Sequence, residues 1–507
     1  MILAVVALVG GTGRMALALP VGPPGASILM ALDPLGASFL LLLSAAMMPC
    51  AVCQQITPLP VLGMALTLLA ADGFTLALGL VLLGAAASWR TVTFVVVLLA
   101  PIGDFAAIRR SPPEGLHAVA AFVLVIAAAG ALLAATSFPR KREPNPAHIA
   151  MAALSGYLLL RLLWDLGGQT QPWWWGVPLL LAGAFVMVAA LLRASLADTL
   201  PAVLAVASLH QLGMAIVAVG VGLIARAVDL PSTTSLAFDA AWLSTVCYVL
   251  CGALLMLTAD AVTMAAGTGR LDRLGGLIHP MPVTAMTCLL GLFGVALLPP
   301  GLGFAAFWLL FQSLLAAARV GGFGLQVLLG LIAALTGLSV GLASLAAVRV
   351  FGVAFLGRPR TPRTAVAEEP PRRLRWSLIA LAAFVSVLGV MPTLALLPAT
   401  GWTHATIRVL TLRTGAETPG YSAIAIAALL AIAAIGACFA LRGRRSRDLR
   451  REPAWSGGFA KPPSWLPFGD PTTQYGPLSF VEPLRRAMQR LRNELRSQIA
   501  RWRAVLR

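Results

Sequence analysis

Charge is scarce in this chain. Of its 507 residues only 11% are Asp, Glu, Lys or Arg, while 59% are hydrophobic and the mean hydropathy is +0.88. That balance excludes the soluble classes. Cysteine is sparse as well, six in all. Cys50 and Cys53 form a CxxC, but no second pair follows at zinc spacing. Cys247, Cys251, Cys288 and Cys438 fall inside apolar runs, where small-residue packing is the expected role. There is no glycine-rich phosphate loop, iron–sulfur cysteine pattern or nucleophile motif, so no metal or cofactor is expected in this chain and redox or hydrolytic chemistry is not expected of it alone. The two-residue alternation of a membrane barrel is missing too.

What is present is apolar length. Runs of roughly 20 residues, each enough to cross about 30 Å of hydrocarbon, recur from end to end between short charged or Pro/Gly-rich joints. They predict an all-α polytopic membrane protein with spans at 35–53, 55–71, 73–89, 91–108, 116–137, 147–166, 173–193, 201–225, 235–258, 281–299, 303–319, 323–350, 376–399 and 421–441. The N-terminal MILAVVALVGGTGRMALALP is open between one more, glycine-weakened span and the remains of one; without a basic start or a clear cleavage site it does not read as a signal peptide. The chain thus divides into a transmembrane domain, 1–441, and a basic tail, 442–507.

The net charge of +18 is concentrated rather than spread. Basic residues crowd the loop RPRTPRTAVAEEPPRRLRW (358–376) and the tail after Leu441. Two spans separate these blocks, so both fall on one side, which the positive-inside rule makes cytoplasmic. A topology signal with anionic-lipid contact explains them without nucleic acid. Within the tail, Leu484, Met488, Leu491, Leu495, Ile499 and Trp502 recur at spacings of three and four among arginines. This predicts a C-terminal amphipathic helix lying on the membrane surface or against a partner subunit.

An ionisable group in hydrocarbon costs about 2.5–3.5 kcal/mol on insertion scales, so each one inside a span asks for a partner or a water path. The candidates are few: Arg161, Asp165, His210, Asp260 and Arg349. Arg161 and Asp165 stand four apart and can pair on one helix face. Against a proton path stand plainer readings: a self-satisfied pair for Arg161 and Asp165, an imidazole satisfied by a carbonyl for His210, a headgroup-level loop for Asp260, and a snorkelling anchor for Arg349. His117, His148, His279 and His404 sit at or near helix ends, where solvent contact is the default.

The stretch VALLPPGLGFAAFWLLF (295–311) carries Pro299, Pro300, Gly301 and Gly303 in an otherwise spanning run. Pro299 lacks an amide hydrogen and Pro300 restricts the residue before it, so the pattern predicts a helix break: one span ends and another starts. The expectation is a hinge joint of the bundle rather than a binding site in itself.

Several motifs then combine. GTGRLDRLGGLIHPMPVTA (267–285), LLPPGLGFAAFWLLFQ (297–312) and VRVFGVAFLGRPR (348–360), in this order, make the segment from about 141 to 376 resemble the antiporter-like membrane subunits of respiratory complex I, Mrp-type antiporters and membrane-bound nickel–iron hydrogenases. The tail TTQYGPLSFVEPLRRAM (472–488), preceded by EPAWSGGF (452–459), resembles the ending of the hydrogenase-4 component B and formate hydrogenlyase branch. The resemblance implies about fourteen helices built on two inverted five-helix repeats, each with a discontinuous helix. It further implies a non-catalytic membrane subunit of a hydrogenase-like or complex-I-like oxidoreductase in a bacterial inner membrane. Other membrane and peripheral subunits would be its partners, with iron–sulfur clusters in them and nickel–iron left open. The alternative is a cation/proton antiporter subunit, or the membrane partner of an inorganic-carbon uptake system. Relative to that branch the chain is expected to lack one or two helices at its start.

The resemblance also implies a midplane row of lysines and acids that relays protons. Here the family's His and Lys positions in one helix are Tyr248 and Gly252, another lysine falls on Leu160, with Arg161 one residue on and about 100° round a regular helix, and a third falls on Pro201. Glutamate positions fall on Val81 and Phe307; Arg349 alone keeps a cation at a family charge position. Arginine, with a pKa above about 12, sets field but relays protons poorly. The expectation is a retained architecture with most of the usual path lost.

Overall fold

In hydrocarbon a backbone must satisfy its own amides and carbonyls, and the apolar runs accordingly fold as helices. The computed structural model describes residues 15–19, 28–53, 58–84, 99, 102–111, 114–137, 146–168, 171–319, 322–399, 420–443, 476–477, 479 and 481–505. Two short strands, β1 (Met15–Leu19) and β2 (Ile28–Leu32), pair antiparallel with Met15 opposite Leu32. Helices follow: α1 (Pro34–Cys53), α2 (Pro58–Leu69), α3 (Gly73–Gly84), α4 (Phe105–Arg110), α5 (Gly115–Ser137) and α6 (Pro146–Leu159), the last running into a π-helical turn, Leu160–Asp165. After a 3₁₀ turn at Trp173–Trp175 come α7 (Gly176–Leu196), α8 (Leu200–Ala227), α9 (Pro231–Ala266), α10 (Pro282–Val295), α11 (Leu302–Ala317) and α12 (Phe323–Ala354). The chain continues through α13 (Pro362–Ala365), α14 (Arg372–Val390), α15 (Pro392–Leu396), α16 (Ala423–Gly443) and α17 (Glu482–Val505).

Among the described residues eight helices are long and apolar enough to cross a membrane, and four shorter apolar helices, within α2, α3, α10 and α11, accompany them. The protein is an integral, polytopic membrane protein. Three sequence expectations need correction. Residues 15–19, left open between a glycine-weakened span and the remains of one, form a strand; Gly13 and Pro20 bracket a run too short to span, and pairing with β2 satisfies its backbone instead. Of the expected span 91–108, residues 91–98, 100 and 101 lie outside the described residues; Leu99 and 105–108 are helical, the latter in α4, while 102–104 are not. The expected span 376–399 breaks at Pro392, whose ring cannot continue the hydrogen-bond ladder.

The core sits around α9. Thirty-six residues long, it extends about 54 Å at 1.5 Å per residue. Its most apolar 18-residue window is wholly buried, enclosed by α8, α10, α11, α14, α1 and α6. It ends at Gly267, whose φ of +68° is the left-handed C-cap conformation. Helices α7 and α8 approach closely because their contact carries small residues: a Cβ on Gly213 would stand 2.6 Å from the Met187 backbone nitrogen.

Two of the diagnostic loops hold each other at one end of the bundle. Gly276 N–H donates to Leu356 O (2.9 Å) and Ile278 N–H to Phe355 O (3.0 Å). Arg360, mostly buried, donates to Leu271 O (3.1 Å). Glu369 caps α10, accepting from Val283 N–H (2.6 Å) and the Thr284 hydroxyl (2.7 Å). In the tail, α17 follows the expected spacing: Leu484 and Met488 are half-buried while Arg485 and Arg486 are exposed.

Candidate functional site: a buried charge cluster and a broken helix

The π-helical turn carries Arg161 and Asp165. Its wider i→i+5 repeat is closed by Leu166 N–H donating to Arg161 O (3.1 Å), a geometry often found at functional sites. The expectation of a regular helix face there is therefore modified: the turn of about 100° separating Leu160 from Arg161 applies to an α-helix, and this segment is not one. Arg161 is 1% exposed. One guanidinium nitrogen donates to Asp165 (2.7 Å) and to Asp33, a second to the other Asp33 oxygen (2.8 Å) and to the Tyr157 hydroxyl (2.9 Å), and Nε also reaches Tyr157 (3.1 Å). All five N–H donors are thus occupied.

Arg109, on α4, completes a second bridge between the same two carboxylates. It donates to Asp165 Oδ1 (3.0 Å) and Asp33 Oδ2 (3.2 Å), with a further contact to Asp165 Oδ2. Asp33 precedes α1 and caps it, accepting from Gly36 N–H (2.9 Å). Burial pushes the Asp33 carboxyl up, but Arg161, the hydrogen bonds from Arg161 and Gly36, and Arg109 together outweigh it and hold the group at about 2. The result is a four-membered, charge-balanced network of two arginines and two aspartates. Sequence reading found the Arg161–Asp165 pair and missed Asp33 and Arg109. The Asp-Pro before an apolar run was a legible cap signal, but a partner 128 residues away leaves no local trace.

His210 and Gln211 form a separate polar spot on α8. Both are fully buried. His210 Nδ1 lies 2.5 Å from Ala207 O, the carbonyl contact of the plainer reading, while His210 Nε2 and both amide atoms of Gln211 have no hydrogen-bond partner among the described residues. The helix break faces this spot. A Cβ on Gly303 would lie 2.1 Å from Gly294 O and 2.7 Å from Gln211 Nε2. Between α10 and α11, Leu297 adopts φ +57°, costly for a branched residue, the Pro299–Pro300 peptide is cis, and Gly301 N–H closes a turn onto Leu298 O (2.7 Å).

Two of the candidates stand elsewhere. Asp260 lies inside α9, half-buried, and not in a loop at the headgroups, because α9 runs six residues further before its cap. Arg349 is fully buried and does not snorkel. Its guanidinium donates to Ala194 O (3.2 Å) and Ala197 O (2.8 Å) at the end of α7 and to Pro477 O (2.7 Å) in the tail, so packed carbonyls replace solvent around it.

Neither lysine of the chain, Lys141 or Lys461, falls among the described residues. Cys50 is buried, Cys53 contacts the Ser377 hydroxyl at 3.3 Å, and no group of three or more His, Cys, Asp or Glu among the described residues could hold a metal ion.

Fold and site together define a polytopic helical membrane protein with a buried charge cluster and a broken helix. Residues 144–333 match the sequence profile of the NADH:quinone oxidoreductase/Mrp antiporter transmembrane family. Hydrogenase-4 component B of Escherichia coli K12 is 28% identical over 299 residues, 57% of this chain and 44% of that protein. Formate hydrogenlyase subunit 3 of the same organism is 31% identical over 237 residues, 47% of this chain and 38% of that protein. The chain therefore spans less than half the length of these two relatives. A chain of the membrane-bound sulfane sulfur reductase, an archaeal respiratory membrane complex, shares the fold with a TM-score of 0.76 at 16% identity, over 99% of this chain and 89% of that one.

Proposed function

We propose that this chain is the membrane subunit of a multi-subunit, hydrogenase-like or complex-I-like oxidoreductase, and that its own part is to anchor the redox arm rather than to relay protons along a lysine row. It would sit in a bacterial inner membrane with its tail on the cytoplasmic side, and iron–sulfur chemistry would reside in the partners. The observation that carries this reading is the state of the buried charges: Arg161 spends every donor on fixed partners, and Arg349 spends its own on backbone carbonyls. A guanidinium so held supplies structure and field, not a titrating step. His210 is the one candidate whose ring nitrogen is left available inside the bundle.

Extraction of the tagged protein from its native membrane in mild detergent, followed by mass spectrometry of what co-purifies, tests the assignment. Recovery with hydrogenase-like and iron–sulfur subunits supports it. Recovery alone, or with small antiporter-type membrane subunits, replaces it with the transport reading. In the assembled complex, proton uptake unchanged by His210→Ala removes that residue from any path.

A further inference from the structure

An apolar groove of about 1000 Å³ runs between α1, α9, α14 and α15. It is at the upper end of the roughly 300–1,000 Å³ usual for small-molecule sites. Its walls are apolar side chains such as Leu42, Met48, Leu381 and Phe384. The few polar groups along it are engaged within the protein: the Trp242 indole donates to Ala395 O (2.6 Å), the Ser38 hydroxyl sits between Pro34 O (2.6 Å) and Pro398 O (2.5 Å), and Ser377 meets Cys53. Nothing in the walls selects a polar ligand. On α14 the lining extends from Arg372 to Leu388, a rise of about 24 Å at 1.5 Å per residue, longer than one leaflet of a hydrocarbon core about 30 Å thick.

One end of the groove is different in kind. Arg372 and Arg373 line it beside Trp376; all three are exposed, and neither arginine has an ion pair or hydrogen bond with a described residue. These arginines lie in the first turn of α14, which has no side-chain cap. Cations at a helix N-terminus oppose its dipole, a cost that an anion between them would relieve. An exposed Trp beside two exposed arginines is also the composition of a membrane–water interface.

We propose that the groove is a binding site for an anionic phospholipid, its acyl chains along α1 and α14 and its phosphate between Arg372 and Arg373. Charge complementarity chooses this occupant over an uncharged lipid or a partner's apolar helix, neither of which answers two exposed cations at the mouth. The site requires only that the chain span a membrane, so it stands or falls separately from the redox assignment.

The test uses the full chain, purified, stripped of lipid with detergent and offered phosphatidylglycerol and phosphatidylcholine in equal amounts, with native mass spectrometry counting what is retained. Wild type is expected to prefer phosphatidylglycerol by roughly 30-fold, the attraction of two arginines near a surface. R372Q/R373Q should lose that preference while keeping its elution profile, since both side chains are exposed. Ala380→Trp, which fills the groove from α14, should reduce retention of both lipids with the arginines intact. Equal retention of the two lipids by wild type, an unchanged preference in R372Q/R373Q, or retention untouched by Ala380→Trp each overturns the proposal; the last would assign the effect to surface attraction alone.

Discussion

Arg349 and Pro477 are 128 residues apart in sequence, yet the arginine Nε donates to the proline carbonyl at 2.7 Å inside the protein. The same guanidinium holds Ala194 and Ala197 at the end of α7. One side chain from α12 therefore fastens the part of the tail just before α17 to the bundle. Arg349→Gln should lower stability in detergent by about 2–4 kcal/mol, given the strength of hydrogen bonds to charged donors. Hydrogen–deuterium exchange should rise over residues 476–505 more than elsewhere. Uniform exchange across the chain would show that the contact fastens nothing.

Arg161 makes a second prediction. Removing one partner of a buried ion network leaves charge uncompensated, so Arg161→Ala should cost about 3–5 kcal/mol. Arg161→Lys should recover only part of this, because an ammonium cannot span Asp33, Asp165 and Tyr157 with a planar fork. A double-mutant cycle between Arg161→Ala and Asp33→Ala checks the pairing through thermal unfolding. A coupling near zero would contradict the network.

Asp33 gives the cluster a pH signature. Its carboxyl is held at about 2, below an ordinary value of 3.8. A depressed folded-state value means that the stabilisation is complete above about pH 4 and is lost as pH falls toward 2, because the unfolded chain takes up its proton first. The loss should be on the order of 2 kcal/mol. Asp33→Asn should be less stable at neutral pH and should lack this acid-dependent component, which unfolding midpoints measured between pH 5 and pH 2 would reveal.

The helix break is sharply position-dependent. Gly303→Ala places a methyl against Gly294 O and Gln211 and should destabilise by about 1–3 kcal/mol or more. Gly322→Ala, where a methyl would meet nothing within 4 Å, should be nearly neutral and serves as the control. Equal behaviour of the two variants in thermal unfolding would remove the close packing inferred at the break.

The sequence was most informative where one local rule decides the outcome. Apolar length located most of the helices, and Pro299 and Pro300 marked where α10 stops and α11 begins. The spacing of Arg161 and Asp165 disclosed a real pair. What it could not disclose was long-range. Asp33 and Arg109 join the pair through tertiary packing, and the burial of Arg349 depends on a tail that folds back onto α7 and α12. The β1–β2 hairpin escaped notice because five apolar residues carry no period that separates a strand from a helix fragment.

Helix α9, enclosed by protein along its most apolar stretch, has a consequence for how the molecule is made. A segment enclosed by protein in the folded chain has no need to be greasy there, and it does tolerate Asp239, Ser244, Thr245 and Thr258 in its buried length. Its hydropathy is required earlier, when the new chain is sorted between water and bilayer before its neighbours have arrived. The same residues thus answer first to the insertion machinery and afterwards to their packing partners, and the two demands can be separated: a small polar substitution on α9 should be accepted by the folded bundle yet reduce the yield of inserted protein.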